Sequence, residues 1–212
     1  MPILLATAYL PPVAYIAACL KNDEIWIEAF ESYIKQTCRN RCIIYGPNGV
    51  QILTIPVKKS EGHRTMVSGI LVDNTSPWQK LQWRSIETAY NKSPFFLYYR
   101  DLFEPFFIQK PELLIEFNTR LLEQIFLILR IETTIGFTWE YEKEVENDQR
   151  DLLVSKRRDF TFPFYFQPFS PKHGFLSNLS VIDLLFNKGP QAMEYLEEIV
   201  KSNPNFPRAT AK

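Results

Sequence analysis

Glycine is scarce in this chain, 7 residues in 212, and histidine is scarcer still, with only His63 and His173. A phosphate cradle of backbone amides needs closely spaced glycines, and neither G-x-x-x-x-G-K-S/T nor G-x-G-x-x-G occurs. G-x-S-x-G and H-E-x-x-H are also missing, which removes the nucleophile elbow and the two-histidine zinc helix. The three cysteines, Cys19, Cys38 and Cys42, are too few and odd in number for a disulfide framework. Cys38 and Cys42 are four apart with no second pair, and a zinc site would have to recruit Cys19 or a distant histidine. The expectation is therefore no metal and reduced thiols. Charge of one sign is not in excess either: 24 Lys+Arg balance 24 Asp+Glu. That balance speaks against nucleic acid as a partner, and 46% hydrophobic residues speak against disorder.

A long uninterrupted apolar run is also lacking. Residues 1–20 are mostly apolar, and Ile16-Ala17-Ala18-Cys19 looks like a lipoprotein cleavage site. However, the first positive side chain is Lys21, and Pro11-Pro12 interrupt the segment. The same prolines speak against a membrane span, which needs about 20 apolar residues in a row. The segment reads instead as a buried strand from Ile3 to Ala8, a turn over 9–12 and a helix from Val13, started by proline. The expected location is cytoplasmic.

Aromatic residues are plentiful: 17 Phe, 10 Tyr and 4 Trp. They predict a large core, or a surface covered by a second copy or a partner enzyme. Ile25-Trp26-Ile27 reads as a strand, and Arg41–Tyr45 and Val50–Val57 flank Gly46-Pro47-Asn48-Gly49 as a hairpin, with Asn-Gly at the positive-φ positions. Met66–Val72 reads as extended. Ser76-Pro77 opens a helix carrying Trp83, Ile86 and Tyr90 on one face. Pro94 ends it, Pro111 starts a further helix through Leu114 to Ile128, and Thr133–Tyr141 reads as a strand. Glu140–Asp151 is a charged, solvated connection, and Phe160–Phe169 is too broken by proline for a helix. Ser180 and Asp183 form a capping box for the next helix, Gly189-Pro190 end it, and an amphipathic helix carries Met193, Leu196 and Val200. The expectation is a single α/β or α+β domain over 1–212 with a small mixed sheet in the N-terminal half and helices packed on it. The sheet-rich part covers about 1–75, a helical part 76–130, an aromatic and helical part 131–202, and a disordered tail 203–212.

Four clusters could carry chemistry. Lys35, Arg39 and Arg41 put three cations within seven residues, beside Tyr33 and Asn40. This is either a phosphate or carboxylate site or a solvated turn; Lys35 and Arg39 share a face if the segment is helical. Glu87 shares the aromatic face of Trp83 and Tyr90, next to Arg84. A buried carboxylate there would suit a general base, unless an arginine simply pairs with it. His173 follows the run Phe164-Tyr165-Phe166-Gln167, which lines a pocket or packs the core. Asp183 is accounted for by the capping box, with Asn187 one turn further on.

In this order, Asn40-Arg41, Leu53-Thr54-Ile55-Pro56-Val57-Lys58-Lys59, Trp78, Ser85-Ile86-Glu87 with Tyr90, Pro94-Phe95 and Leu179–Asn187 resemble the WbqC-like family over nearly the whole chain. The likeness is to a shorter branch found in Bacteroidota, in which Tyr33–Cys42 and Lys172-His173-Gly174-Phe175 also look typical. Members often lie in gene clusters for O-antigen and other surface polysaccharides, and a glycine-transferring role onto a sugar has been suggested. The resemblance thus implies an aminoacyl or acyl transferase acting on a sugar or nucleotide-sugar, with no cofactor named. The alternative is a non-catalytic binding or accessory protein of the same pathway. In the catalytic reading Glu87 or His173 deprotonates the acceptor and Lys35, Arg39 and Arg41 hold a phosphate or carboxylate. Tyr165, Gln167 and Asn187 orient the sugar, with Asn40, Arg84 and Tyr90 as further binding residues. Two departures stand out. Many longer members have His-Gln-Pro-Asn where this chain has Leu5-Ala6-Thr7-Ala8, and they carry a Gly- and Ala-rich segment ending in a Gly-Gly turn that has no counterpart between Arg150 and Phe164.

Overall fold

In the computed structural model the residues described are 2–20, 22–58, 65–153, 160–203 and 206. Strand β1 (Ile3–Ala6) leads through helix α1 (Val13–Cys19) to β2 (Glu24–Glu28), and the two strands pair in parallel. Strand β5 (Thr134–Phe137) adds to the far side of β2, also parallel, in the order β1-β2-β5. A strand–helix–strand crossover is the standard way to make parallel neighbours. The register aligns Ile3, Ile25 and Ile135, then Leu5, Ile27 and Phe137, on one face. Leu4, Trp26 and Gly136, then Ala6 and Glu28, lie on the other. The first face belongs to the main core except at Phe137, which is exposed, and the second does not. All seven residues of α1 are buried, because α6 (Val181–Lys188) and α7 (Ala192–Ser202) pack against it. Tyr15 donates its hydroxyl back to the Ala6 carbonyl at 3.0 Å.

Strands β3 (Arg41–Gly46) and β4 (Gly49–Thr54) form a separate antiparallel hairpin. Its turn is Pro47-Asn48. The positive φ, +96°, falls on Gly49 and not on Asn48, since Pro47 already fixes the first turn position. The α/β expectation holds, with the parallel and antiparallel strands in two small sheets. Helices α2 (Trp78–Tyr90), α3 (Phe96–Phe103) and α4 (Leu114–Leu129) complete the packing. The abundant aromatics meet here: Phe186 contacts the rings of Tyr90, Phe96 and Phe103, and Trp83 stacks on Phe107.

Several local expectations are corrected. Met66–Val72 is not extended throughout, because Val67–Gly69 winds into a 3-10 turn. Ser76 does not cap α2: Pro77 takes the cap position without a side-chain bond. Residues 35–40 form turns and a bend, with Gln36 at φ +61°, so Lys35 and Arg39 share no helical face. The segment after β5 is not wholly solvated, since Asn147 and Arg150 are buried. It runs back beside β1 as a strap, with Leu4 N–H donating to Asn147 O and Gln149 N–H donating to Leu4 O. Asn203 and Phe206 are buried, Phe206 against Phe160, so the chain does not leave the fold at 203. The rest of that tail and the loop around His63 lie outside the described residues. Cys19 and Cys42 are buried and Cys38 half-buried, and none of the three forms a disulfide. Among the described residues no helix is long and apolar enough to cross a membrane, and no group of metal-ligating side chains converges.

Candidate functional site

Parallel α/β sheets place ligands at the carboxyl ends of their strands, where the chain leaves the sheet and side chains converge. Here the segments after β2 and β5 enclose a cleft of about 510 Å³, lined by Glu31, Arg39, Tyr141, Lys143, Asp148 and Arg150 among others. Two ion-pair systems build it. Arg39, 1% exposed, forks onto Glu31, with Nε donating to Oε1 at 2.8 Å and Nη2 to Oε2 at 2.7 Å. Arg150 spans the second system, with Nη1 donating to Glu28 Oε2 at 2.8 Å and Nη2 to Asp148 Oδ2 at 2.6 Å. Its guanidinium also lies over the Tyr141 ring at 4.9 Å. Glu28 is fully buried and also accepts from Phe30 N–H and from the Thr138 hydroxyl.

These environments push the carboxylates apart. Burial raises the Glu31 carboxyl above its ordinary value, against the lowering effect of Arg39. Burial acts in the same direction on Asp148, but the side-chain and backbone hydrogen bonds from Arg150 outweigh it and hold Asp148 low. The result is a cleft with one carboxyl eased toward protonation and one held ionised. Lys143 is exposed in the cleft, and its ammonium has no partner among the described residues. Tyr141 is 53% exposed and offers ring surface to a ligand.

Of the residues singled out from the sequence, Arg39 reaches this cleft and Lys35 lies exposed near it, four residues after Glu31. Asn40 instead ties the loop to the Ile55 carbonyl, and Arg41 begins β3 with its Nε buried and without a hydrogen-bond partner among the described residues. Tyr90, Tyr165, Gln167 and Asn187 do come together, though around Asp183. Tyr90 and Tyr165 donate their hydroxyls to its two oxygens at 2.9 and 2.6 Å, and Gln167 Nε2 adds a third bond at 3.1 Å. Asn187 donates to the Asp183 carbonyl. All five side chains are buried, and burial raises the Asp183 carboxyl against these donors. The capping box is therefore not formed: Ser180 Oγ donates to Leu10 O, and Asp183 points into the protein. Glu87 pairs with Arg100 at 3.0 Å on a half-exposed surface, and Arg84 is exposed. His173 sits at the surface, with Nε2 3.0 Å from Pro47 O at the hairpin turn. The structure brings neither proposed base to the cleft walls.

Glu28, Glu31, Asp148 and Arg150 were missed by the sequence reading. The available signal was position for Glu28 and Glu31, which closely follow the predicted strand ending at Ile27, where this fold class collects polar groups. Asp148 and Arg150 lie further beyond the predicted strand ending at Tyr141 and carried no such signal. Positions 5–8 lie at the end of β1. There Thr7 is buried and accepts from Asn118 Nδ2 at 3.1 Å.

Fold and site together define an α/β protein with a charged, ligand-sized cleft at the carboxyl ends of a short parallel sheet. Residues 7–165 match the model of the WbqC-like protein family, and the chain belongs to that family. It is also 27% identical over 217 aligned residues to a protein of Mycobacterium tuberculosis (strain ATCC 25618 / H37Rv) called "Uncharacterized protein Rv1507c". The match covers 89% of this chain and 94% of that relative. No solved structure matches the chain.

Proposed function

We propose that the cleft holds a sugar, free or as a nucleotide-sugar, and that the protein transfers an aminoacyl or acyl group to it in surface-polysaccharide biosynthesis. The observation that carries this reading is the cleft itself, where the exposed Tyr141 ring stands beside carboxylates and an unpaired lysine. Carboxylates accept from sugar hydroxyls, the apolar side of a sugar ring packs on an aromatic face, and Lys143 meets a phosphate as a point charge. Glu31, in the cleft wall with its carboxyl raised by burial, is the candidate base for a substrate held there, whereas Glu87 and His173, the bases expected from the sequence, could act only on a substrate reaching outside the cleft.

The second reading is a binder without turnover. It is favoured by the state of Arg39 and Arg150, whose guanidinium groups are already matched by carboxylates. Thermal shift against nucleotide-sugars, amino sugars, acyl-CoAs and glycine tests both. A ligand at 100 times its Kd adds about 2.7 kcal/mol, or about 5–11 °C for a chain of this size. Shifts with a sugar and an acyl donor, both lost in Tyr141→Ala/Lys143→Ala, are expected for a transferase, and a sugar shift alone for a binder. No shift, or shifts indifferent to those substitutions, refutes the site. In a turnover assay the true base should cost about 10²–10⁴-fold when neutralised. Losses under about tenfold in Glu31→Gln, Glu87→Gln and His173→Ala would dispose of all three.

A further inference from the structure

The strap after β5 separates two cavities. On one side Tyr141, Lys143, Asp148 and Arg150 face the charged cleft. On the other, Trp139, Glu140, Glu142 and Asn147 close a second cavity of about 260 Å³ against Trp26 and Glu28 on the outer face of the sheet. The Glu28–Arg150 bond joins the two walls, so the charge of Glu28 is already met from the cleft side. Glu140 and Glu142 are exposed, and neither has an ion-pair partner among the described residues. No lysine or arginine appears among the described residues that line this cavity.

A separate observation points to a ligand. Asn147 lines the cavity, is 9% exposed, and its amide nitrogen has no hydrogen-bond partner among the described residues. A buried donor is costly to leave without an acceptor, and an oxygen from outside the chain would supply one. Trp26 is half-buried in the floor and Trp139 is 83% exposed in the wall. Indole faces attract cations through their quadrupole.

From aromatic walls, unpaired carboxylates and an orphan donor, we propose that this compartment binds a small organic ammonium ion that also carries an acceptor oxygen. The ammonium lies against the indoles and Glu140/Glu142, and the oxygen accepts from Asn147. The inference goes beyond the function proposed above, since it concerns the other cavity and a different ligand charge. An amino sugar and an amino alcohol share this chemistry.

Tryptophan fluorescence of the full chain, titrated with glucosamine, choline and glucose below the amine pKa of glucosamine, tests it. The expected result is a saturable change with at least one cationic probe, and glucose weaker by about tenfold or more. Glu140→Gln/Glu142→Gln, Asn147→Ala and Trp139→Ala should each weaken that probe several-fold. Glu140, Glu142 and Trp139 are exposed, so these variants should fold. Tyr141→Ala/Lys143→Ala should leave it unchanged. A preference for glucosamine identifies the amino sugar as the source, and a preference for choline the amino alcohol. Absence of saturable binding by both cations, equal binding of glucose, or indifference to Glu140→Gln/Glu142→Gln overturns the proposal. Loss only in Tyr141→Ala/Lys143→Ala also overturns it, by assigning the ligand to the charged cleft. Failure of the sugar-cleft reading would appear in the thermal shifts and leave this titration untouched.

Discussion

Replacing Arg150 by Met tests how the site is held together. Glu28 is fully buried, and Arg150 Nη1 at 2.8 Å is its only ion-pair partner among the described residues. Removing one member of a buried pair costs about 3–5 kcal/mol, because the remaining charge stays desolvated and unmatched. The Phe30 amide and the Thr138 hydroxyl still donate to Glu28, which favours the lower end of that range. For a chain of about 200 residues, each kcal/mol moves Tm by about 2–4 °C, so Arg150→Met should lower it by about 6–20 °C. Glu28→Gln/Arg150→Met removes both charges and should recover a substantial part of the loss, since neutral groups of similar shape are far cheaper to bury. Urea unfolding of the wild type, both single variants and the double variant gives the coupling directly. The reasoning fails if Arg150→Met costs less than about 1 kcal/mol, or if the double variant is no more stable than Arg150→Met. The strap gives a second readout. Arg150 also holds Asp148 and bonds the Lys143 carbonyl, so proteolysis within 138–150 should accelerate in Arg150→Met.

Asp183→Ala should cost about 2–4 kcal/mol in urea unfolding, because it strands the buried Tyr90 and Tyr165 hydroxyls, whereas the Gln167 amide keeps the Leu176 carbonyl. Asp183 also sets a pH dependence. Its folded pKa is raised by burial, so the folded state binds a proton that the unfolded chain releases. The stability advantage of wild type over Asp183→Asn should therefore be largest at acid pH and shrink as pH rises from the ordinary carboxylate value through the raised one; a growing advantage would contradict the assignment. Gly189→Ala should destabilise by roughly 1–3 kcal/mol, read as a drop in Tm. Position 189 has φ +55°, and a Cβ there would press into the Phe95 ring.

Periodicity and punctuation carried much of the fold. The strand–proline–helix opening, the hairpin around Pro47-Asn48, and the helices begun after Pro77 and Pro111 were all legible, because each depends on neighbours within a few residues. The family was legible for the same reason, from short runs such as Leu179–Asn187. What local pattern left open or misplaced shares a cause. Ser180 and Asp183 have the spacing of a cap, yet two tyrosines more than ten residues away in sequence claim the Asp183 carboxylate. Glu87 lies beside Trp83 and Tyr90 on a helical wheel, but α3 supplies Arg100 to pair with it.

The amino-acid sequence alone determined the mixture of a small sheet with packed helices and the family membership, since these follow from local pattern and composition, while strand order settled the choice between α/β and α+β. Only the tertiary structure decided where the chemistry sits. The parallel pairing of β5 with β2 returns residues 138–151 to the end of a strand more than a hundred residues earlier. Arg150 thereby meets Glu28 across 122 positions. Such a pair leaves no signature in sequence spacing, because its cost and its benefit both arise when burial removes water from two charges at once.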